Sequence, residues 1–205
     1  MNSAMVKRFF DIVFSIALLG VTSPVLAAIA LAVYLNSGRP IFFSQVRVGR
    51  NLRHFKLWKF RTMKLDHDGP RLTVKGDARV TRVGRFLRGT KLDEIPQFFN
   101  VLAGDMTIVG PRPEVPEYVA LYEERFRGIL AERPGITDVA SLRFRNEEET
   151  LSQSEDPIRK YCEELLPAKL DLAEGYLRTR NLKSDLGIIV QTALAMVSSG
   201  EQLKN

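Results

Sequence analysis

Two adjacent carboxylates, Asp93 and Glu94, are the residues in this sequence best suited to chemistry, with Arg88 and Lys91 close before them. Such a pair can bind a divalent ion and leave one oxygen as a nucleophile, as Asp does in some phosphoryl transfers. A structural explanation is also open. Thr90 is placed to cap a helix whose first turn would contain both carboxylates, where the helix dipole favours them.

Arginines near this pair are arranged in ways that suit phosphate. Arg112 stands between two prolines in Gly110-Pro111-Arg112-Pro113, which restricts the backbone and preorganises a forked donor. Arg82, Arg85 and Arg88 recur every three residues, so they stack along one side of a helix and repel one another if unpaired. A phosphate-rich ligand or anionic headgroups would relieve this repulsion, whereas a solvated basic face needs no ligand.

Other common catalytic groups are scarce in the 205 residues. The chain contains one cysteine, Cys162, and two histidines, His54 and His67. No internal disulfide can form, and a Cys/His zinc cluster is excluded. The composition, 45% hydrophobic and 26% charged, fits a compact domain and excludes a disordered or collagenous chain. Chemistry should therefore depend on carboxylates, cations and the backbone.

Positive charge is concentrated in the first third of the chain. The whole sequence has 30 Lys and Arg against 24 Asp and Glu, but residues 1–65 contain ten cations and a single acid, Asp11. This asymmetry indicates a surface that faces either nucleic acid or an anionic membrane leaflet. The ten cations are Lys7, Arg8, Arg39, Arg47, Arg50, Arg53, Lys56, Lys59, Arg61 and Lys64.

An uncharged, mostly apolar segment at residues 12–35 favours the membrane. It exceeds the roughly 20 residues that a helix needs to cross a bilayer. A signal peptide is disfavoured because the segment is longer than the usual apolar core and lacks a clear small-residue cleavage site. Its length and low polarity also argue against a buried core helix. Since lipid attraction accounts for the flanking cations, we expect no nucleic-acid partner.

Ser23 and Pro24 lie at the middle of this segment. Proline removes a backbone donor and disfavours a helical residue before it, so the pair predicts a break between two helices of about 12 residues, each about 18 Å long. Each half crosses little more than half of a hydrocarbon core of about 30 Å. Cations on both flanks favour a cytoplasmic location for both ends. We therefore predict a re-entrant helix-break-helix hairpin at residues 1–36, with a spanning helix as the alternative.

Residues 37–205 are predicted to form one cytosolic domain of mostly helical α+β class. The last helix is too short to cross a bilayer, so it either packs on the domain or lies at the membrane interface. Strands are predicted at residues 41–43, 54–58 and 106–109, and helices at residues 78–87, 92–102, 116–130, 156–180 and 185–197.

Several motifs of the sequence together resemble the bacterial sugar transferases, the monotopic polyprenol-phosphate phosphoglycosyl transferases. The resemblance covers about two thirds of the chain in order, and the length is similar to that of small members consisting of the catalytic core alone. The matching motifs are Lys7-Arg8-Phe9-Phe10-Asp11, Ser23-Pro24, Lys59-Phe60-Arg61-Thr62-Met63, Leu92-Asp93-Glu94-Ile95-Pro96-Gln97, Gly104-Asp105-Met106-Thr107-Ile108-Val109-Gly110-Pro111-Arg112-Pro113 and Arg133-Pro134-Gly135-Ile136-Thr137.

The resemblance implies transfer of a sugar 1-phosphate from a UDP-sugar to a membrane polyprenol phosphate such as undecaprenyl phosphate. The products would be a polyprenol-diphosphate sugar and UMP, and the reaction would initiate the assembly of a cell-surface glycoconjugate. The family uses a re-entrant membrane helix, which supports the hairpin. The implied location is the bacterial inner membrane, with the catalytic domain on its cytoplasmic face.

The resemblance also implies roles for individual residues. Asp93 would be the nucleophile that forms a covalent phosphosugar intermediate, and Glu94 would help to position Mg²⁺ or accept a proton, so both are candidate metal ligands. Arg88 and Arg112 would bind phosphate. Lys59 and Arg61 are second candidates for phosphate binding that could instead brace the fold.

The sequence departs from the commoner family pattern after Thr137. Asp138-Val139-Ala140-Ser141-Leu142 stands where Gly, an aromatic residue or Ala, and Gln usually follow, so the donor sugar cannot be inferred. The tract Glu147-Glu148-Glu149 is predicted to be a solvated face. Two rival functions remain. One is a basic membrane-surface or nucleic-acid-binding protein that does not depend on Asp93, and the other is a sugar transferase acting on an ordinary lipid alcohol.

Overall fold

The computed structural model describes residues 3–65 and 72–202, which form a mostly helical structure with a few short strands, as predicted. His67 lies outside the described residues. The strands are β1 (Phe42–Val48), β2 (His54–Phe60), β3 (Thr107–Val109) and β4 (Gly135–Thr137). The helices are α1 (Ser3–Ser37), α2 (Arg82–Gly89), α3 (Gln97–Ala103), α4 (Pro116–Leu121), α5 (Glu123–Ile129), α6 (Val139–Arg143), α7 (Glu147–Ser152), α8 (Pro157–Lys160), α9 (Leu166–Thr179) and α10 (Leu182–Gln202).

Helix α1 is the longest element and is continuous through Pro24, so the predicted interruption at Ser23 and Pro24 is wrong as secondary structure. Pro24 cannot donate to the carbonyl of Gly20, four residues earlier. The Ser23 hydroxyl donates to that same carbonyl at 2.8 Å and so replaces the missing amide. Among the described helices, only α1 is long and apolar enough, by length and composition, to cross a membrane.

The first sheet is an antiparallel hairpin of β1 and β2. Its register runs from Phe42 opposite Phe60 to Val48 opposite His54. The stacked rings of Phe42 and Phe60, with centroids 5.1 Å apart, close its open end. β1 extends five residues beyond its predicted end because its polar residues are paired along the whole of β2. The hairpin places Lys59, near the carboxyl end of β2, toward the protein interior.

The second sheet is a parallel pair, β3 and β4, and β4 is a strand that the sequence pattern did not predict. Here Thr107 lies opposite Gly135, and Val109 lies opposite Thr137. The backbone at the start of β4 and the backbone just after β3 approach so closely that a Cβ atom at Gly135 would lie 2.1 Å from the Gly110 nitrogen. The glycine therefore permits the close approach that fixes the turn containing Arg112.

Several predicted helices are divided into shorter elements, and another begins later than predicted. The predicted helix 92–102 becomes a 3₁₀ turn (Leu92–Glu94) followed by α3, because Pro96 has no amide to continue a helical ladder. α2 begins later than predicted because the Thr81 hydroxyl accepts a hydrogen bond from the Gly84 nitrogen and caps the helix. The predicted helix 156–180 becomes α8, a π-helical turn (Tyr161–Leu165) and α9.

Three buried apolar clusters hold these elements together. The first, which includes Phe126, joins α4, α5, α7 and α9. The second, around Met106, joins β2, α3, β3, α9 and α10. The third packs Ile29 and Val33 of α1 against Phe60 and Leu87 of β2 and α2. The carboxylate pair therefore lies in a turn between α2 and α3, close to the second and third clusters.

Candidate active site

The carboxylate pair lies in the 3₁₀ turn between α2 and α3. Lys91, directly before this turn, has a left-handed backbone with φ of +58°. The predicted helix cap by Thr90 is wrong, because its hydroxyl donates back to the carbonyls of Phe86 and Leu87 at 2.9 and 3.2 Å. Thr90 therefore terminates α2. The structural explanation, in which Asp93 and Glu94 lie in the first turn of an α-helix capped by Thr90, therefore does not hold.

Asp93 is only 5% exposed. Its Oδ1 atom is fully buried and has no hydrogen-bond partner among the described residues. Burial raises the pKa of the Asp93 carboxyl, an effect that Glu94 reinforces and Lys59 opposes. The site thus holds a carboxylate that is not committed to any neighbouring donor in the part of the chain that the structure describes.

Glu94 has the opposite environment. Its Oε1 atom accepts hydrogen bonds from Lys59 Nζ at 2.8 Å and from Arg112 at 2.7 Å. Burial opposes its ionisation, but the charges of Arg112, Lys59 and Lys91 outweigh burial and hold the pKa of Glu94 well below its usual range. Glu94 is therefore an ionised carboxylate held between two cations, whereas Asp93 next to it is buried without a partner.

The turn after β3 presents Arg112 to Glu94, and Asp138 fixes that turn. The backbone amide of Arg112 donates to Asp138 Oδ2 at 3.1 Å, while Asp138 Oδ1 accepts the amide of Ser141 at 2.6 Å and caps α6. Glu94 is the main cause of a raised pKa for Arg112. Sequence reasoning missed Asp138 as a site residue. The available signal was that Asp138 directly precedes a helix, where an Asp side chain can cap the helix by accepting the amide of the residue three positions later.

Arg88, on α2, donates to the carboxylate of Glu148 in α7. The acidic tract is not simply solvated, because Glu147 pairs with Lys169 and Glu149 pairs with Lys75 at 2.6 Å. The Glu148 and Glu149 side chains are 46% and 47% exposed, so the predicted solvated face is confirmed in part, and the tract is also paired with cations from distant segments. Arg82 and Arg85 are exposed on α2.

Arg61 has a different set of partners from Lys59. It is buried, and its guanidinium donates to the carbonyls of Ser37, Gly38 and Arg39 at the end of α1. These contacts brace the junction between α1 and β1. The structure therefore brings Lys59, Asp93, Glu94 and Arg112 into one cluster and occupies Arg61 elsewhere, and phosphate binding by Arg61 stays a prediction.

Charged residues at the start of α1 are anchored in the domain. Lys7 Nζ donates to the Val109 carbonyl at 2.8 Å and pairs with Asp185 of α10. Arg8 donates to the carbonyls of Val101 and Leu102 at the end of α3, at 2.7 and 3.2 Å. Asp11 accepts hydrogen bonds from the Thr107 hydroxyl and the Ile108 amide. The first turns of α1 are thus tied to β3, α3 and α10.

One residue of the site, Asp93, offers a carboxylate oxygen that suits Mg²⁺. No group of three or more His, Cys, Asp or Glu side chains that could hold a metal occurs within residues 3–65 and 72–202. Mg²⁺ commonly uses one or two carboxylates and completes its shell with water and substrate phosphates. The unpartnered Oδ1 of Asp93 suits this mode, whereas Glu94 already bonds Lys59 and Arg112.

Comparison with known proteins gives consistent matches. Residues 2–199 match the family model described as bacterial sugar transferase. A UDP-glucose:undecaprenyl-phosphate glucose-1-phosphate transferase of Caulobacter vibrioides is 36% identical over 207 residues, covering 94% of this chain and 70% of the relative. A protein of the same name from Klebsiella pneumoniae is 42% identical over 158 residues, or 74% of this chain. The match spans 34% of the length of that relative.

An N-acetylgalactosamine relative shows that the family name does not fix the sugar. The UDP-N-acetylgalactosamine-undecaprenyl-phosphate N-acetylgalactosaminephosphotransferase of Aeromonas hydrophila is 40% identical over 146 residues, covering 68% of this chain and 34% of the relative. Relatives named for glucose and for N-acetylgalactosamine therefore have similar identity to this chain.

Proposed function

Because the chain belongs to the bacterial sugar transferase family, we propose that it transfers a sugar 1-phosphate from a UDP-sugar to undecaprenyl phosphate. The names of the relatives support both substrates. The products would be undecaprenyl-diphosphate sugar and UMP, and the reaction would begin the assembly of a cell-surface glycoconjugate. A relative named as an exopolysaccharide production protein, 43% identical over 148 residues, supports this pathway class.

The observation that carries the proposal is the contrast between the two adjacent carboxylates. Glu94 is held ionised by Lys59 and Arg112, while Asp93 has a buried oxygen without a partner. Neighbouring titratable groups with opposite environments are characteristic of catalytic pairs. Glu94 fixes the cations around the site, and Asp93 is left available to a substrate.

In the first step that we propose, an Asp93 carboxylate oxygen attacks the phosphorus that carries the sugar. A bond forms between the carboxylate and this phosphorus, and the bond from the phosphorus to the bridging oxygen of UMP breaks, so that UMP leaves. Lys59 and Arg112 lower the electrostatic barrier to bringing an anionic donor against an anionic carboxylate. Arg88 would bind a donor phosphate after separating from Glu148.

In the second step, a phosphate oxygen of undecaprenyl phosphate attacks the same phosphorus and releases the Asp93 carboxylate. The Arg112 side chain holds its orientation in both steps because Asp138 and the β3–β4 pair fix its backbone. We propose Asp93 as the protein ligand of Mg²⁺, which would neutralise charge on the diphosphate when bound. Glu94 would support this arrangement by keeping Lys59 and Arg112 in place.

We also propose that α1 enters and leaves the membrane on one face. Near its start, Arg8 and Asp11 bond to α3 and β3, and near its end, Ile29 and Val33 pack against β2 and α2. The intervening residues are mostly exposed, with Val21 at 81%. Both ends of α1 thus contact the same domain, while its apolar middle does not. This arrangement supports a re-entrant segment at the cytoplasmic face of the inner membrane.

Helix α10 supports a membrane-facing surface of the same domain. Its apolar residues Leu182, Leu186, Val190 and Leu194 are exposed and recur every four residues, so they form one stripe. The other side of the helix is packed through Asp185 and Ile188. We propose that the stripe lies at the lipid interface, where an amphipathic helix buries its apolar face.

The test is UMP release by the purified chain in detergent, with Mg²⁺, undecaprenyl phosphate and a panel of UDP-sugars. We expect the wild type to release UMP only when undecaprenyl phosphate is present. Asp93→Asn should abolish release, while Asp171→Asn, which changes a largely exposed carboxylate on α9, should preserve it. Turnover by Asp93→Asn within about tenfold of wild type would contradict the nucleophile assignment.

The same assay separates the rival functions. Substituting a long-chain alcohol for undecaprenyl phosphate tests the lipid-alcohol acceptor, which we expect to be inactive. The wild type could be folded, release no UMP with any donor, and bind anionic surfaces as well as Asp93→Asn does. This result would favour the non-catalytic membrane-surface protein instead.

A further inference from the structure

A second site of positive charge lies at the tip of the β1–β2 hairpin. Here a cavity of about 380 Å³ is lined by Arg50, Arg53 and His54 from the hairpin tip and by Arg133, Gly104 and Asp105 from the facing loops. A tetrahedral phosphate group with its hydration shell fits within such a volume. None of the four catalytic-cluster residues, Lys59, Asp93, Glu94 and Arg112, lines it.

The cationic side chains around this cavity have hydrogen-bond donors that are not used by other described residues. Arg53 and His54 have no side-chain hydrogen bond or ion pair among the described residues, and both are exposed. Within residues 3–65 and 72–202, Arg50 donates only its Nε, to the Ala131 carbonyl at 3.0 Å, and Arg133 donates only its Nε, to the Gly104 carbonyl at 2.8 Å. Each Nε contact orients its guanidinium and leaves the two terminal nitrogens available.

Acidic partners are too few to balance these charges. In the part of the chain that the structure describes, Asp105 is the single carboxylate that lines the cavity. Glu132, on the neighbouring loop, pairs with Arg180 at 2.6 Å. Three arginines around one carboxylate repel one another, and a bound anion would remove that repulsion.

The cavity is separate from the catalytic cluster. His54 lies at the start of β2 and Lys59 lies five residues further along the same strand, so the two are about 17 Å apart at about 3.3 Å per residue. One phosphate group cannot contact both places. The donor diphosphate at Asp93 therefore does not account for the cations at the hairpin tip.

The cavity also lies beside the start of α1. A Cβ atom at Gly104 would be 3.6 Å from an Arg8 terminal nitrogen, and the next residue along α1, Phe9, is 67% exposed. Cations beside the start of a long apolar helix are the arrangement expected where a protein meets anionic lipid headgroups.

We propose that the cavity formed by Arg50, Arg53, His54 and Arg133 binds a phosphate group, which a membrane phospholipid headgroup or a soluble phosphate would supply. Its phosphate oxygens would accept from the free guanidinium nitrogens of Arg50, Arg53 and Arg133. Part of the positive charge of residues 1–65 thus serves a ligand site apart from the transferase centre. Binding there does not require the transferase activity.

The experiment measures thermal unfolding of the full chain in detergent at fixed ionic strength. One arm titrates inorganic phosphate, and the other adds phosphatidylglycerol or, for comparison, phosphatidylcholine to the micelles. Arg53→Gln and His54→Gln test the cavity, and Lys56→Gln is the matched control, because Lys56 is on the same strand but does not line the cavity. Repeating the titrations with Arg112→Gln removes phosphate binding at the catalytic cluster.

We expect phosphate-dependent stabilisation that persists in Arg112→Gln and Lys56→Gln and requires about tenfold more ligand in Arg53→Gln. Stabilisation by phosphatidylglycerol but not by inorganic phosphate or phosphatidylcholine identifies a headgroup site. Stabilisation by inorganic phosphate alone identifies a soluble ligand. If neither ligand stabilises the protein, or if Arg53→Gln and His54→Gln both respond as Lys56→Gln does, the proposal is overturned.

Discussion

Asp93 and Glu94 are neighbours in the chain, yet burial affects them in opposite ways. Glu94 gains two cations as partners, so ionisation is favoured despite its burial. Asp93 gains none at hydrogen-bonding distance, so burial raises its pKa. A protein that keeps an unpaired buried carboxylate loses stability, and a catalytic role at Asp93 gives a reason for retaining it.

This contrast predicts that Asp93→Asn stabilises the protein while removing activity. A carboxyl whose folded-state pKa is raised contributes stability that is lost as the pH rises through that pKa. Once the Asp93 carboxyl is ionised, the wild type holds a buried charge that Asn lacks. We therefore expect the stability of Asp93→Asn relative to wild type to be greater at a mildly alkaline pH than at a mildly acidic pH. Denaturant titrations at both pH values measure it.

A constant or reversed difference between Asp93→Asn and wild type across this pH range would show that Asp93 titrates normally in the folded protein. Asp171→Asn is the control, because it replaces a carboxylate that is largely exposed instead of buried.

Glu148 holds Arg88 in the absence of substrate. A donor phosphate must compete with this carboxylate, so we expect Glu148→Gln to lower the KM for the UDP-sugar by up to about fivefold without changing kcat. Steady-state UMP release measures both constants. Glu149→Gln is the matched control, since Glu149 pairs with Lys75 instead. An increase in KM for Glu148→Gln would mean that Glu148 positions Arg88 for catalysis.

At the scale of elements, short segments hold the side chains of the candidate site in place. β3 and β4 contribute only three residues each, but their parallel pairing and the close approach of Gly110 and Gly135 fix the turn that contains Arg112. Asp138 joins this turn to the start of α6. The departure from the family pattern after Thr137 therefore carries a structural role in this chain.

Asp138→Ala should separate helix capping from catalysis. It removes the α6 cap, worth about 1 kcal/mol, and also the acceptor of the Arg112 amide. Asp156→Ala is the matched control, because Asp156 caps α8 by accepting the Arg159 amide at 2.9 Å and has no contact with Arg112. We expect a larger stability loss in Asp138→Ala, because it also leaves the Arg112 amide without its acceptor. We expect at least a tenfold lower kcat only in Asp138→Ala, about 1.4 kcal/mol in the barrier.

Calorimetry and UMP release measure the two effects of these alanine variants. Equal kcat values for Asp138→Ala and Asp156→Ala would assign Asp138 to helix capping alone.

At the scale of the whole molecule, α1 decides how the domain would meet a membrane in the proposed topology. Ser23 replaces the hydrogen bond that Pro24 cannot make, so the helix stays continuous while both of its ends remain bonded to or packed on the domain. This arrangement places the carboxylate cluster and the long apolar helix in one structural unit, as the proposed transfer to a membrane-held acceptor requires.

Cysteine labelling tests this topology in inverted and right-side-out membrane vesicles. In a Cys162→Ser background, Ser3→Cys and Ser37→Cys should both react with an impermeant reagent from the cytoplasmic side only. Val21→Cys, at the exposed middle of α1, should be protected by lipid from both sides and serves as the control. Labelling of either terminal position from outside would establish a spanning helix.

The sequence by itself determined the local and compositional features of this protein. Apolar length identified the long apolar helix α1, periodicity identified most helices, and motif order identified the family. It also singled out Asp93, Glu94 and Arg112. These features depend on residue type and on spacing along the chain, which the sequence contains directly.

Only the tertiary structure decided which of these groups are paired and which are available. The acidic tract, Arg61 and Lys7 all bond to segments far away in the sequence, and Thr90 bonds back to α2 instead of capping forward. Desolvation and ion pairing depend on what packs around a group in space. The contrast between Asp93 and Glu94, and the cationic cavity at the hairpin tip, therefore come from long-range packing that no local spacing specifies.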